Sequence, residues 1–131
     1  MKLLLDTHIW LWSVGESDRI KGRLFRALKD PRNELWVSPV STWEISLLYD
    51  SGRLKLTDDP EAWVQKAMTL APLREAPLTH EIALATRSVR LPHRDPADRF
   101  LVATALVHGL TLVTADRQLS RLEQIKVLVN H

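Results

Sequence analysis

The chain has 131 residues, 45% of them apolar and 26% charged, with 18 basic against 16 acidic side chains for a net charge of +2. This suits one globular domain able to bury a core of its own, and the charge balance neither demands nor excludes nucleic acid. Cysteine is absent, which excludes disulfides, thiolate metal sites and cysteine nucleophiles and fits a reducing cytoplasm.

The first residues, MKLLLDTHIWLW, carry an apolar run like that of a secretory leader. Asp6 and His8 interrupt it and no small-residue cleavage site follows. No stretch approaches the roughly 18 apolar residues of a membrane span. None of the four glycines forms a GxGxxG or GxxxxGK[ST] loop, so a dinucleotide or P-loop site is not expected.

In chain order, residues 2–5 read as a buried strand. Residues 7–14 read as a helix beginning behind Asp6. Residues 18–29 place Ile20, Leu24, Ala27 and Leu28 on one helical face. A strand at 35–37 precedes a helix at 40–49 that Gly52 closes. A helix at 61–70, a weak strand at 73–76 and a helix at 79–89 follow. Residues 96–108 form a helix that is apolar nearly all round from Phe100 onward, so it should be well buried, and Gly109 ends it. A strand at 110–113, a short helix at 117–122 and a strand at 126–129 complete the chain. This alternation predicts an α/β domain with a central, mostly parallel sheet flanked by helices.

In such sheets, sites form outside the carboxyl ends of the strands. Asp6 follows the first strand directly, and Asp116 follows the strand at 110–113 across Thr114 and Ala115. Helix starts lie at the same edge and bring Asp95 and Asp98 from one helix and Glu44 from another. Each acid also has a purely structural reading. Asp6 and Asp116 could cap their helices. Asp95 stands before Pro96 as an N-cap before a first-turn proline. Asp98 suits the helix dipole, and Ser41-x-x-Glu44 is a capping-box pattern.

Their joint placement adds weight to a chemical role. Two charges about 7 Å apart at an effective dielectric of about 20 repel by roughly 2 kcal/mol. Six such pairs among four carboxylates sum to on the order of 10 kcal/mol, comparable to the stability of a domain. Protonation or a divalent cation must relieve this, and all-oxygen ligands suit Mg²⁺ or Mn²⁺.

The stretches LLLDTHIWLW, SPVSTWEISLLYDSGRL and LPHRDPADRFLVATALVHGLTLVTAD resemble the PIN-domain ribonucleases, and most closely the VapC-type toxins of bacterial toxin–antitoxin pairs. The resemblance spans nearly the whole chain and implies a single PIN-like nuclease domain over residues 1–131. It implies a metal-dependent endoribonuclease with Asp6, Glu44, Asp98 and Asp116 as its catalytic acids. It further implies a cognate antitoxin whose tail covers the acidic groove, and a homodimer or toxin–antitoxin hetero-oligomer with no membrane association. On this reading Asp6, Asp98 and Asp116 hold Mg²⁺ or Mn²⁺. Glu44 ligates an ion or orients the attacking water. Thr114 steadies Asp116, and Asp95 supports the helix start.

Arg94 and Arg99, with Arg87 and Arg90 nearby, are candidates for contact with phosphate. His8 and His93 could ligate a metal, but the acids suffice, so both are given mainly structural or phosphate-contact roles. The five tryptophans are expected in core packing or on a dimer surface. Two rival readings stand beside the nuclease. A receiver-like signalling domain would need a phosphoacceptor Asp after its third strand and a Lys near the end of its fifth, and this chain has Pro77 and Lys126 in the wrong places. A non-catalytic α/β module could use the acidic groove to capture a basic segment of a partner.

Overall fold

The computed structural model describes residues 1–131. Its strands are β1 (Lys2–Leu5), β2 (Glu34–Val37), β3 (Leu73–Glu75), β4 (Thr111–Thr114) and β5 (Val127–Val129). They form one sheet in the order β3-β2-β1-β4-β5, and every pairing is parallel. The helices are α1 (Thr7–Gly15), α2 (Gly22–Lys29), α3 (Pro39–Asp50), α4 (Pro60–Leu70), α5 (His80–Ala85) and α6 (Pro96–His108), with three short 3-10 turns between them.

The central strand explains the layering. Leu3, Leu4 and Leu5 are all buried, as expected of a strand covered on both faces. Their side chains alternate. Leu3 and Leu5 join a core with Ile9, Trp10, Leu24, Ile45 and Trp63 from α1 to α4. Leu4 joins a second core with Ile82 of α5 and Leu101, Val102 and Ala105 of α6. Each fully buried leucine contributes roughly 1.5–3 kcal/mol, so one four-residue strand anchors both layers. In the first core, Trp10 and Trp63 meet edge to face with ring centroids 5.2 Å apart, a favoured aromatic geometry.

Several boundaries differ from the sequence expectation. The helix expected over 18–29 is a 3-10 turn at Ser17–Arg19 followed by α2, because Ile20 is extended and buried at the junction. The helix expected over 79–89 stops at Ala85 and tightens into a 3-10 turn at Thr86–Ser88. β4 is shifted one residue later than expected, so Thr114 lies inside the strand. α3 begins at Pro39 with Ser38 as its N-cap, whose Oγ accepts from the Val40 N–H. Ser41 therefore lies within the helix and does not form a capping box with Glu44. Gly109 closes α6 with φ 64°, a left-handed conformation that suits glycine. No helix is long and apolar enough to cross a membrane.

The sheet reverses direction at β1. The chain moves outward through β2 and β3, and β4 then pairs on the opposite side of β1. The carboxyl ends of β1 and β4 thus flank a topological switch point, the usual position of a ligand site in an open α/β sheet.

Candidate active site

Asp6 leaves β1 and caps α1, its Oδ1 accepting from the Ile9 N–H at 2.9 Å. Its backbone N–H donates to the Val113 carbonyl on β4 at 2.9 Å, which ties the two strand ends together. Asp116 lies two residues beyond β4, and its Oδ1 accepts from the Gln118 N–H at 2.9 Å. Thr114 Oγ1 accepts from the Asp116 N–H at 3.0 Å, so the hydroxyl holds the turn that presents Asp116. From the first turn of α6, Asp98 faces the same space. Asp95 caps that helix, its Oδ1 accepting from Ala97 N–H at 2.9 Å and Asp98 N–H at 3.3 Å.

Glu44 comes from α3. The Thr7 hydroxyl donates to Glu44 Oε1 and lies 3.1 Å from Ser41 Oγ. Thr7 and Ser41 are buried, so this small polar network fixes the glutamate from behind. Asp6, Thr7, His8, Glu44, Asp95, Asp98, Ala115 and Asp116 line one groove of about 330 Å³. All five acids singled out from the sequence therefore meet, and each structural role proposed for Asp6, Asp95 and Asp116 coexists with a place on the groove.

The electrostatics follow from this crowding. Burial lifts the Asp6 carboxyl above the usual carboxylate range, while the Thr114 hydroxyl, the Ile9 N–H and His8 oppose the shift. Asp98 is pushed up to about 7, chiefly by burial, with the charges of Asp95, Asp6 and Glu44 adding to it and His93 opposing. A carboxyl whose pKa burial and neighbouring carboxylates raise is a group that a cation would strongly favour in its ionised form.

His93 is the residue whose place the sequence did not reveal. Its Nε2 lies 3.3 Å from Asp98 Oδ2 and 3.4 Å from Asp116 Oδ2, while its Nδ1 accepts from the Asp95 N–H at 3.2 Å. It sits in a loop without periodicity, and no spacing signal distinguishes it. His93, Asp98 and Asp116 each offer a donor atom within 4.8 Å of the others. This donor set, with Asp6 and Glu44 beside it, fits a divalent cation.

The two arginine candidates separate. Arg99 does not line the groove. Its Nη1 donates to the Thr86 carbonyl at 3.1 Å and the Val89 carbonyl at 2.8 Å, so it fastens the turn after α5 to α6. The sequence-based assignment of Arg99 to phosphate is replaced by this structural role. Arg94 is exposed. Of the tryptophans, Trp10 and Trp63 are buried in the core and Trp43 is 49% exposed on α3.

Comparison with known proteins agrees with this architecture. Residues 3–125 match the model of the PIN domain. The chain is 33% identical over 120 residues to Ribonuclease VapC22 of Mycobacterium tuberculosis (strain ATCC 25618 / H37Rv), covering 89% of this chain and 88% of that protein. Among solved structures, VapBC2 from Rickettsia felis bound to a DNA fragment from their promoter superposes with a TM-score of 0.72 at 17% identity, covering 98% of each chain. The DNA-bound VapBC from Salmonella typhimurium gives 0.70 at 17% identity, covering 100% of this chain and 99% of that one. With the parallel sheet, the acids at its switch point and these matches together, the chain belongs to the PIN-domain family, among the VapC proteins.

Proposed function

We propose that residues 1–131 form one nuclease domain, a divalent-metal-dependent endoribonuclease that acts as the toxin of a toxin–antitoxin pair. The observation that carries this reading is the convergence of Asp6, Glu44, Asp95, Asp98 and Asp116 on one groove at the carboxyl ends of β1 and β4. Support comes from the 33% identity to a protein named a ribonuclease and from the fold shared with toxin–antitoxin complexes.

Asp6, Asp98 and Asp116 hold the cation, Mg²⁺ or Mn²⁺, and Glu44 completes the acidic quartet. When bound, such an ion lowers the pKa of water and neutralises charge on a phosphodiester and its leaving oxygen. The protein's own groups do the positioning. Thr7 and Ser41 hold Glu44, Thr114 holds the turn carrying Asp116, and Asp95 sets the start of α6 so that Asp98 faces the groove. Arg94, exposed beside His93, contacts the phosphate backbone of the substrate. A cognate antitoxin occupies the groove with a basic side chain and so neutralises the same acids.

RNA incubated with the purified protein in Mg²⁺ or Mn²⁺ is expected to be cut internally, and excess EDTA or Asp98→Asn is expected to stop it. Equal cleavage in every sample overturns the metal–carboxylate reading.

A further inference from the structure

We infer that a second groove, joined to the acidic one through His8, is the track along which single-stranded RNA runs to the reaction centre. This rests on the ribonuclease reading and extends it to where the substrate lies. The groove has a volume of about 780 Å³ and is lined by α1, the 3-10 turn after it, the segment between α3 and α4, and Trp63 of α4, with an apolar floor from residues such as Leu11 and Leu56. His8 belongs to the walls of both grooves, so the two adjoin at this residue.

Its chemistry is the reverse of the acidic groove. Arg19, Arg53 and Lys55 line it, against one acid, Glu16. All three cations are exposed. Arg53 and Lys55 pair with no carboxylate. Arg19 pairs with Glu16 at 3.2 Å, but both side chains are more than half exposed, and so open a pair yields readily to a phosphate.

Trp12, half-buried and packed against the core, also lines this groove. The Arg19 guanidinium sits 4.3 Å from the centre of the Trp12 ring, and His8 is tilted against that ring with centroids 6.0 Å apart. Cations that follow a backbone, interleaved with an aromatic face, are the general apparatus for holding unpaired nucleotides, and stacking tolerates any base. A duplex offers no free base face, so the groove favours a single strand. The acidic site alone repels RNA, and the adjoining cations supply the attraction that brings a polyanion to it.

The test is fluorescence anisotropy of a labelled single-stranded RNA of mixed sequence, titrated across a range of salt in the Asp98→Asn background so that the RNA stays intact. Arg53→Ala with Lys55→Ala is expected to weaken binding more than tenfold. The slope of log affinity against log salt should become shallower by about 1.4, or about 0.7 for each phosphate of a single strand that the protein no longer neutralises. Trp12→Phe is expected to keep most of the affinity and Trp12→Leu to lose about tenfold, as stacking requires. Melting temperatures within a degree or two of the parent show that each variant is folded. Unchanged affinity and slope in the folded double variant overturn the track while leaving the nuclease reading intact. A parent protein that neither binds nor cuts RNA overturns both.

Discussion

Thr7, the first residue of α1, donates its hydroxyl proton to Glu44 in the second turn of α3, so that one acid of the groove is held by the helix that another acid caps. Thr7→Val keeps the shape and removes the bond. Removing such a supporting hydrogen bond typically costs about 10–100-fold in activity or metal affinity. RNA cleavage should fall by that amount while the melting temperature moves only slightly. An unchanged rate would show that Glu44 needs no fixing.

Asp98 should govern how the metal-free protein responds to pH. Its folded-state pKa, about 7, lies above the ordinary carboxylate value of 3.8. The folded state therefore binds the extra proton between these values, and stability is greatest below about pH 4 from this group and declines as pH rises through 7. Asp6 shifts in the same direction. In EDTA, the melting temperature should be higher at pH 5 than at pH 8, and Asp98→Asn should flatten the difference. Mg²⁺ should stabilise the parent more at pH 8 than at pH 5, because it favours the ionised form.

Asp95 offers a way to separate capping from charge. Asp95→Ala removes the acceptor of two N–H groups and should cost about 1 kcal/mol. Asp95→Asn keeps an acceptor and should be nearly as stable as the parent. Both remove a negative charge that raises the Asp98 pKa, so the upper end of the pH-sensitive window should move to lower pH in both. A window that stays in place would show that the Asp95 charge does not set it.

Arg94 and Arg99 should respond in opposite ways. Arg99→Ala leaves the Thr86 and Val89 carbonyls without their charged donor and should destabilise the fold by about 1.5–3 kcal/mol in a denaturant titration. Arg94→Ala, at an exposed position, should leave stability within about 0.5 kcal/mol while weakening RNA binding. Similar stability losses in both would contradict the assignment.

Much of this was legible in the chain because the strongest signals are local. The run Leu3–Leu5 reads as a buried strand, and Asp6 and Asp116 stand where such strands end. Asp95 before Pro96 marked the start of α6. The same signal, Ser38 before Pro39, marks α3, and it outranks Ser41-x-x-Glu44 because proline's preset φ suits the first helical position and Ser38 supplies the cap. The break at Ile20 and the place of His93 were not legible. Both depend on packing between distant segments, which leaves no period in the sequence.

The parallel sheet imposes an order on how the groove comes into being. Asp6 is among the first residues of the chain, and it is the pairing of β4 with β1 that brings the far later Asp116 beside it. Contacts that distant in sequence form late in folding. A fragment that ends before Thr111 lacks β4 and Asp116, and so lacks one wall of the groove. Any activity of this site therefore waits on a strand that begins only at Thr111, far along the chain from Asp6.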